Sequence, residues 1–264
     1  MDSHLDFAAE LARQAGELLL AYFKPSGMHA SLKADRSLVT EADLAADRMI
    51  SQAIRERYPQ EALLSEELQP ALGSQVNCAW VVDPLDGTSN FSLGLPIWGV
   101  ALARLVDGLP VSAAICFPAL GEMYTARRGA GAALNGEPIR VKPPDPDMPA
   151  AFFSCCTRTF RRYEVDLRYK VRILGSASYT WCAVARGLAL VGFEATPKLW
   201  DIAAGWLVVE EAGGTIMTHD GPQPFPLAAG LDYRGRNYPT LAAATPELAA
   251  RAREKIRPRV EKGS

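Results

Sequence analysis

The chain has 264 residues, 48% of them hydrophobic, which is enough to bury the core of one large domain or of two closely joined halves. Its 28 Lys and Arg and 30 Asp and Glu give a formal net charge of −2 with no long basic run, so polynucleotide binding is not expected. Acidic and basic residues interrupt the N-terminal apolar stretch, which argues against a secretory signal or a membrane span.

The cysteines and histidines predict no soft-metal site. None of the five cysteines has Cys-x-x-Cys spacing, so neither a disulfide framework nor a zinc knuckle is expected. The three histidines are far apart in the sequence, which disfavours an imidazole metal site or a histidine nucleophile. We expect a cytoplasmic protein in which any metal ion is held by oxygen atoms.

The N-terminal part of the chain predicts two helices. Apolar residues at helical spacing over 3–23 indicate an amphipathic helix that ends at Pro25. A second helix is predicted over 41–58, with Thr40 as its N-cap and Pro59 as its stop.

A run of strands is predicted next. Beyond residue 126, where this run ends, the Asn135-Gly136 pair predicts another hairpin. Short turns separate the strands, so we expect a meander and not βαβ units. The predicted strands are 62–64, 78–82, 97–106, 111–117 and 122–126.

The Pro-rich stretch 143–147 is the most linker-like segment of the chain. It predicts two halves, 1–145 for metal and phosphate and 146–264 for substrate. The second half alternates helices and strands, so the whole chain is expected to layer helices on sheets. Its predicted elements are a helix over 178–186, a strand over 190–194, a helix over 202–212 and a last helix from Pro246.

The strongest chemical signal is a pair of acids where an apolar strand ends. Asp83 and Asp86 are three residues apart, and Pro84 restricts the backbone between them. The Leu85 carbonyl can supply a further oxygen, and Gly87 allows a ligand close to the main chain. Such an oxygen set suits a hard cation such as Mg²⁺.

An anion site is predicted beside these acids. The backbone N–H groups of Gly87, Thr88 and Ser89 can hold a phosphate. The alternative is that Asp86-Gly87 is only a hairpin turn. The additional acid Asp83 and the hydroxyl residues after Gly87 favour the metal and phosphate hypothesis.

Acids remote in the sequence are further candidates. Glu66 and Glu67 follow a short apolar strand, where such a pair is ordinarily solvated. Asp201 precedes the predicted helix 202–212, where the ordinary role of Asp is an N-cap. Capping leaves one carboxylate oxygen for a metal ion. Trp200 is interpreted as core packing.

Together these motifs resemble the inositol monophosphatase family of lithium-sensitive, magnesium-dependent phosphatases. The resemblance covers nearly the whole chain and implies an α+β fold, namely a layered αβαβα sandwich of the inositol monophosphatase and fructose bisphosphatase type. It also implies a homodimer. Five ordered motifs carry it: Leu38-Val39-Thr40 with Asp43; Ser65-Glu66-Glu67; Asp83-Pro84-Leu85-Asp86-Gly87-Thr88 with Asn90-Phe91; Gly175-Ser176-Ala177; and Trp200-Asp201-Ile202-Ala203-Ala204-Gly205 with Glu211-Ala212-Gly213-Gly214.

The resemblance also implies roles for individual residues, with two or three Mg²⁺ ions as cofactors. The implied metal ligands are Glu66, Asp83, the Leu85 carbonyl, Asp86 and Asp201. Glu66 and Thr88 would activate water, and Asp43 would support the weaker metal position. Phosphate would contact Gly87, Thr88 and Ser89, and the rest of the substrate would contact Gly175, Ser176, Ala177 and Glu194.

The implied reaction is hydrolysis of a small phosphate monoester, with myo-inositol monophosphate as the leading substrate. Fructose bisphosphate, phosphoadenosine phosphate and histidinol phosphate stay open, because Ser37 and Ser89 depart from the family pattern and Lys198 could bind a second phosphate or face solvent. A non-catalytic metal- and phosphate-binding scaffold is a further alternative. A haloacid-dehalogenase type phosphatase is disfavoured because two residues, not one, separate Asp83 from Asp86.

Overall fold

The computed structural model describes residues 3–27, 30–32, 38–69, 71–73, 77–144 and 151–259. The predicted boundary between residues 145 and 146, most of the 143–147 linker and Ser37 lie outside this part of the chain. The division into two halves therefore stays a prediction.

Two helices cover one face of the protein, as predicted: α1 (Ser3–Tyr22) and α2 (Glu41–Arg57). The Thr40 hydroxyl accepts the Asp43 N–H, and Asp43 Oδ2 accepts the Thr40 N–H at 2.8 Å. This reciprocal capping satisfies donors that lack partners within the helix. The capping also fixes the Asp43 carboxylate at the start of α2.

The strand run forms a seven-stranded sheet in chain order, and the antiparallel pairing from residue 78 onward confirms the predicted meander. The first two strands are parallel and all other neighbours are antiparallel. A small β1–β2 pair precedes the sheet, and two short helices connect its strands: α3 (Thr88–Ser92) and a 3₁₀ helix (Pro118–Leu120). The strands are β1 (Ser31–Leu32), β2 (Leu38–Val39), β3 (Ala62–Ser65), β4 (Cys78–Asp86), β5 (Gly99–Val106), β6 (Leu109–Phe117), β7 (Glu122–Arg127), β8 (Gly131–Leu134) and β9 (Glu137–Ile139).

The remaining elements build a five-stranded mixed sheet of order β12-β10-β13-β15-β14 and a separate β11–β16 pair. Of that sheet only the 190–194 strand was predicted, because its other strands are three or four residues long and show no alternating pattern. The elements are β10 (Phe152–Cys155), α4 (Thr159–Arg162), β11 (Tyr163–Val165), β12 (Lys170–Arg172), α5 (Ala177–Ala185), β13 (Ala189–Glu194), α6 (Leu199–Glu211), β14 (Thr215–Thr218), β15 (Thr240–Ala243), α7 (Pro246–Lys255) and β16 (Ile256–Pro258).

Helices and sheets alternate in five layers, which confirms the αβαβα fold. Helices α1 and α2 pack on one face of the seven-stranded sheet, α5 and α6 lie between the two sheets, and α7 packs on the outer face of the second sheet. The largest core joins strands of the first sheet to α5 and α6. The packing of α6 on β5 and β6 brings a late segment of the chain to the acids at the end of β4.

Two further predictions concern the whole chain. All five cysteines belong to the described residues and are free thiols, which agrees with the absence of a predicted disulfide framework. Among the described residues, no helix combines the length and apolar character that a membrane crossing requires.

Candidate active site

Three acids from different parts of the chain converge at one end of the first sheet. Glu66 follows β3, Asp83 lies in β4, and Asp201 lies in the first turn of α6. Because β3 and β4 are parallel with Ser65 opposite Val82, Glu66 and Asp83 emerge side by side. One carboxylate oxygen from each of the three acids lies within 4.8 Å of the others.

The helix that carries Asp201 begins earlier than predicted. It starts at Leu199 and not at Ile202, so Asp201 is inside the first turn and is not the N-cap. Its Oδ2 accepts the Lys198 N–H at 2.7 Å, so Asp201 still satisfies an N-terminal donor. This bond orients the carboxylate, and its second oxygen remains for a cation.

Electrostatic repulsion is concentrated in this cluster. Burial raises the pKa of Asp83 well above its usual value, and the charges of Glu66, Asp86 and Asp201 raise it further. Burial likewise raises the pKa of Asp201, with Glu66 and Asp86 adding to the shift. Among the described residues, neither Asp83 nor Asp201 has an ion-pair partner of opposite charge. A cation would relieve this repulsion.

The Glu66 turn is held by Asp47, a residue not identified from the sequence. Asp47 Oδ2 accepts the N–H groups of Glu67 and Leu68, each at 3.1 Å, and a hydrogen bond from the Ser65 hydroxyl. Asp47 is fully buried in α2. It therefore fixes the backbone on both sides of Glu66.

Asp86 is buried beside the cluster and binds the N-terminus of α5. Its Oδ2 accepts the Ser176 hydroxyl at 2.7 Å and the Ser178 N–H at 2.6 Å, and its Oδ1 accepts the Ala177 N–H at 3.2 Å. Burial raises the pKa of Asp86, and the bonds from Ser176 and Ser178 oppose that rise. Asp86 thus joins the strand that carries Asp83 to the segment predicted to bind substrate. Its role as a metal ligand stays a prediction.

The segment after β4 is a short helix, α3, and not the hairpin turn that was the alternative for Asp86-Gly87. Its N-cap, Gly87, has a φ of +91°, and a Cβ there would lie 2.9 Å from the Ile97 carbonyl oxygen. Only glycine fits both conditions. The Thr88 hydroxyl that follows lies 3.1 Å from Asp43 Oδ1 and 3.1 Å from the Leu85 carbonyl oxygen. Thr88 therefore connects α2 to the acid-bearing strand.

Asn90 fixes this short helix to the second half of the chain. Its Nδ2 donates to the carbonyl oxygens of Ile97 at 2.7 Å and Leu174 at 2.8 Å. The sequence motif included Asn90, but its positioning role needed the three-dimensional contact with Leu174.

Glu194 is buried at the end of β13, in the five-stranded sheet. Burial raises the pKa of Glu194 to about 8, although hydrogen bonds from Thr180 and Cys156 oppose the rise. The Thr180 hydroxyl donates to Glu194 Oε1 at 2.9 Å. A neutral Glu194 carboxyl can both donate and accept a hydrogen bond.

These residues surround one cleft of about 750 Å³, which is within the size range of small-molecule pockets. Asp43, Asp83 and Leu85 are buried behind its surface. Lys198 is not in its lining, because Lys198 Nζ donates to the Arg234 carbonyl oxygen at 2.5 Å. The predicted site residues that line the cleft are Glu66, Asp86, Gly87, Thr88, Ser89, Gly175, Ser176, Ala177, Glu194 and Asp201.

The donor set fits a hard divalent cation. Glu66, Asp83 and Asp201 offer only carboxylate oxygens, and these approach closely enough to share one ion. Carboxylate oxygens are the ligands that Mg²⁺ prefers in proteins.

Comparisons with known proteins agree with this geometry. The chain is 36% identical over 243 residues to a histidinol-phosphatase of Chlorobaculum parvum, covering 88% of this chain and 92% of that protein. It is 34% identical over 242 residues to the Nus factor SuhB of Escherichia coli K12, covering 88% and 91%. The solved IMPase of Thermotoga maritima superposes with a TM-score of 0.76 at 28% identity, covering 96% of this chain and 98% of that one. The sequence profile of the inositol monophosphatase family matches residues 1–257, and the chain belongs to that family.

Proposed function

We propose that this protein hydrolyses small phosphate monoesters with the help of Mg²⁺ ions, and that myo-inositol monophosphate is its leading substrate. The observation that carries the proposal is the convergence of Glu66, Asp83 and Asp201 within 4.8 Å at the cleft. These three acids would hold the metal ions, with Asp86 and the Leu85 carbonyl as further ligands. Two or three bound ions would neutralise the phosphoryl charge and activate the attacking water.

The remaining residues would position the reactants and move one proton. Glu66 would accept the proton of the attacking water. The Thr88 hydroxyl would accept a hydrogen bond from that water while it donates its own proton to Asp43 Oδ1, 3.1 Å away. Asp43 can keep this orientation because the capping of α2 fixes its carboxylate.

The phosphate would lie at the start of α3. The first N–H groups of a helix have no acceptor within it, and Gly87, Thr88 and Ser89 supply such groups at the cleft surface. Glu194, at the end of β13, would contact a substrate hydroxyl, and burial, which raises its pKa to about 8, favours the protonated form that can donate a hydrogen bond. This arrangement suits a polyol phosphate.

A second candidate substrate is histidinol phosphate, favoured by the 36% identity to a histidinol-phosphatase. A panel of phosphate esters compared by kcat/KM separates it from inositol monophosphate. The panel includes fructose bisphosphate and phosphoadenosine phosphate.

The experiment that tests hydrolysis is phosphate release by the purified protein with Mg²⁺ and with EDTA. We expect Mg²⁺-dependent release, and Asp83→Asn should lower kcat/KM at least about 100-fold because a direct metal ligand is lost. Asp232→Asn, which changes an exposed acid outside the cleft, is the matched control. A folded wild-type protein that releases no phosphate from any ester would favour the non-catalytic scaffold. An aspartyl-phosphate trapped on quenching would favour the haloacid-dehalogenase mechanism.

Three further expectations rest on the family likeness. Lithium should inhibit by occupying a Mg²⁺ position, so phosphate release should fall as LiCl is raised. The protein should form a homodimer in the cytoplasm. Light scattering of the purified protein tests the dimer.

A further inference from the structure

One arginine of the described residues, Arg158, lines the substrate side of the cleft. Strands β10 and β13 are parallel, with Cys155 opposite Phe193, so the segments that follow them leave the sheet side by side. Arg158 comes three residues after Cys155, and Thr196 comes three residues after Phe193. Arg158 Nη1 donates to Thr196 Oγ1 at 3.0 Å. The sheet register thus brings the guanidinium to the cleft wall.

Within the part of the chain that the structure describes, no carboxylate neutralises the charge of Arg158. Among the described residues, no carboxylate makes a salt bridge with Arg158, and no other Lys or Arg lines the cleft. Its neighbour Arg161 is exposed and lies outside the lining. An exposed arginine is ordinarily only solvated. Here the bond to Thr196 holds the group at the wall that faces the candidate substrate.

We infer that Arg158 binds a second oxyanion on the leaving group of the substrate, so that the cleft prefers phosphate esters that carry two phosphates over their single-phosphate counterparts. This inference rests on the proposed phosphatase function. The sequence suggested Lys198 as a ligand for a second phosphate, but Lys198 Nζ donates a hydrogen bond to the Arg234 carbonyl oxygen. Arg158, which lines the cleft beside Thr196, takes that role.

The chemistry of the side chain supports an oxyanion ligand. A guanidinium has five N–H donors in a planar fork, and Thr196 engages one nitrogen, so the fork can still bind phosphate oxygens. Metal ions held by the acid cluster would bind the reacting phosphoryl group, and Arg158 lines the same cleft of about 750 Å³. A neutral polyol leaving group gains nothing from this charge, and a cationic leaving group is repelled by it.

The inference can be tested with substrates that differ only by one phosphate. Two such pairs are fructose 1,6-bisphosphate with fructose 1-phosphate, and adenosine 3′,5′-bisphosphate with adenosine 3′-monophosphate. We expect the wild type to prefer the bisphosphate in at least one pair. Arg158→Gln should lower kcat/KM for that bisphosphate about 10- to 100-fold, mainly through KM, because a charge-assisted contact is lost. It should leave the single-phosphate partner within about twofold.

Three other variants separate charge from geometry. Arg158→Lys should recover only part of the preference, because an ammonium lacks the planar fork. Thr196→Val should lower the preference less than Arg158→Gln, because Thr196 positions the guanidinium and does not bind the ligand. Arg161→Gln removes the same charge outside the cleft and should change neither substrate.

Two outcomes would overturn the inference. One is a wild type that shows no bisphosphate preference in either pair. The other is an Arg158→Gln variant that changes both members of a pair by the same factor. Mg²⁺-dependent phosphate release from the whole panel of esters, inositol monophosphate included, is measured on the same preparations. If any ester of the panel is hydrolysed, failure of the bisphosphate test counts against Arg158 alone; if none is hydrolysed, the proposed phosphatase function fails.

Discussion

Replacing Asp201 with Asn should abolish turnover and yet stabilise the metal-free protein. Asn keeps the shape of the side chain and an oxygen that can accept the Lys198 N–H, now 2.7 Å from Asp201 Oδ2. It removes one of three carboxylates whose oxygens lie within 4.8 Å of one another. The capping bond is therefore retained and the repulsion is lost.

The size of the stabilisation follows from that separation. At the 4.8 Å limit between oxygens, two ionised carboxylates repel by about 3 kcal/mol at an effective dielectric constant of about 20. Burial and mutual repulsion raise the pKa values of Asp83 and Asp201, which lowers the repulsion below that of two fully ionised groups. We therefore expect a gain of about 1–3 kcal/mol in EDTA, with Tm rising roughly 2–4 °C per kcal/mol.

Thermal unfolding in EDTA and in Mg²⁺ measures this effect, and phosphate release measures the loss of activity. Mg²⁺ should stabilise the wild type more than Asp201→Asn, because ligands stabilise the state that binds them. The contrasting variant is Asp47→Asn, which should destabilise by about 2 kcal/mol with or without Mg²⁺, because Asp47 accepts two backbone N–H groups and two hydroxyls. An Asp201→Asn variant with near-normal kcat/KM, or with a lower Tm in EDTA, would refute the reasoning.

Two further predictions test packing and pH dependence. Gly205→Ala should lower the free energy of unfolding in urea by about 1–3 kcal/mol, because the new Cβ would lie 2.2 Å from Trp181 Cδ1. Gly235→Ala is the control, because a Cβ there meets no atom within 4 Å. Equal effects of the two changes would contradict the packing argument. Burial raises the pKa of Glu194 from 4.5 to about 8, so its contribution to stability is complete below pH 4.5 and is lost as pH rises through 8. Glu194→Gln should flatten the pH dependence of the unfolding free energy in EDTA across that window; an unchanged dependence would count against the raised pKa.

The elements with strong local signals could be predicted from the sequence. The periodicity of α1, the capping residues of α2 and the turn-separated strands of the meander are short-range features, and the structure has them within a few residues. The acids Asp83 and Asp86 belong to the same class, because they lie at the end of an apolar strand within one short segment. Local spacing was sufficient for these predictions.

The short strands of the second sheet could not be predicted in the same way. Strands such as β12 and β14 have three or four residues, and their conformation depends on neighbours from distant segments. The start of α6 was placed too late for a related reason. Lys198, an unusual N-cap, gives no sequence signal.

The sequence by itself determined which side chains could hold a cation and a phosphate, because that depends on chemical type. Only the tertiary structure brought Glu66, Asp83 and Asp201 to one point, through the parallel pairing of β3 with β4 and the packing of α6 on the same sheet. Among the described residues, it also placed Arg158 and not Lys198 in the lining of the cleft, since the direction of a long side chain depends on neighbours that are remote in sequence. Distances between remote residues are set by packing, and local sequence patterns do not contain them.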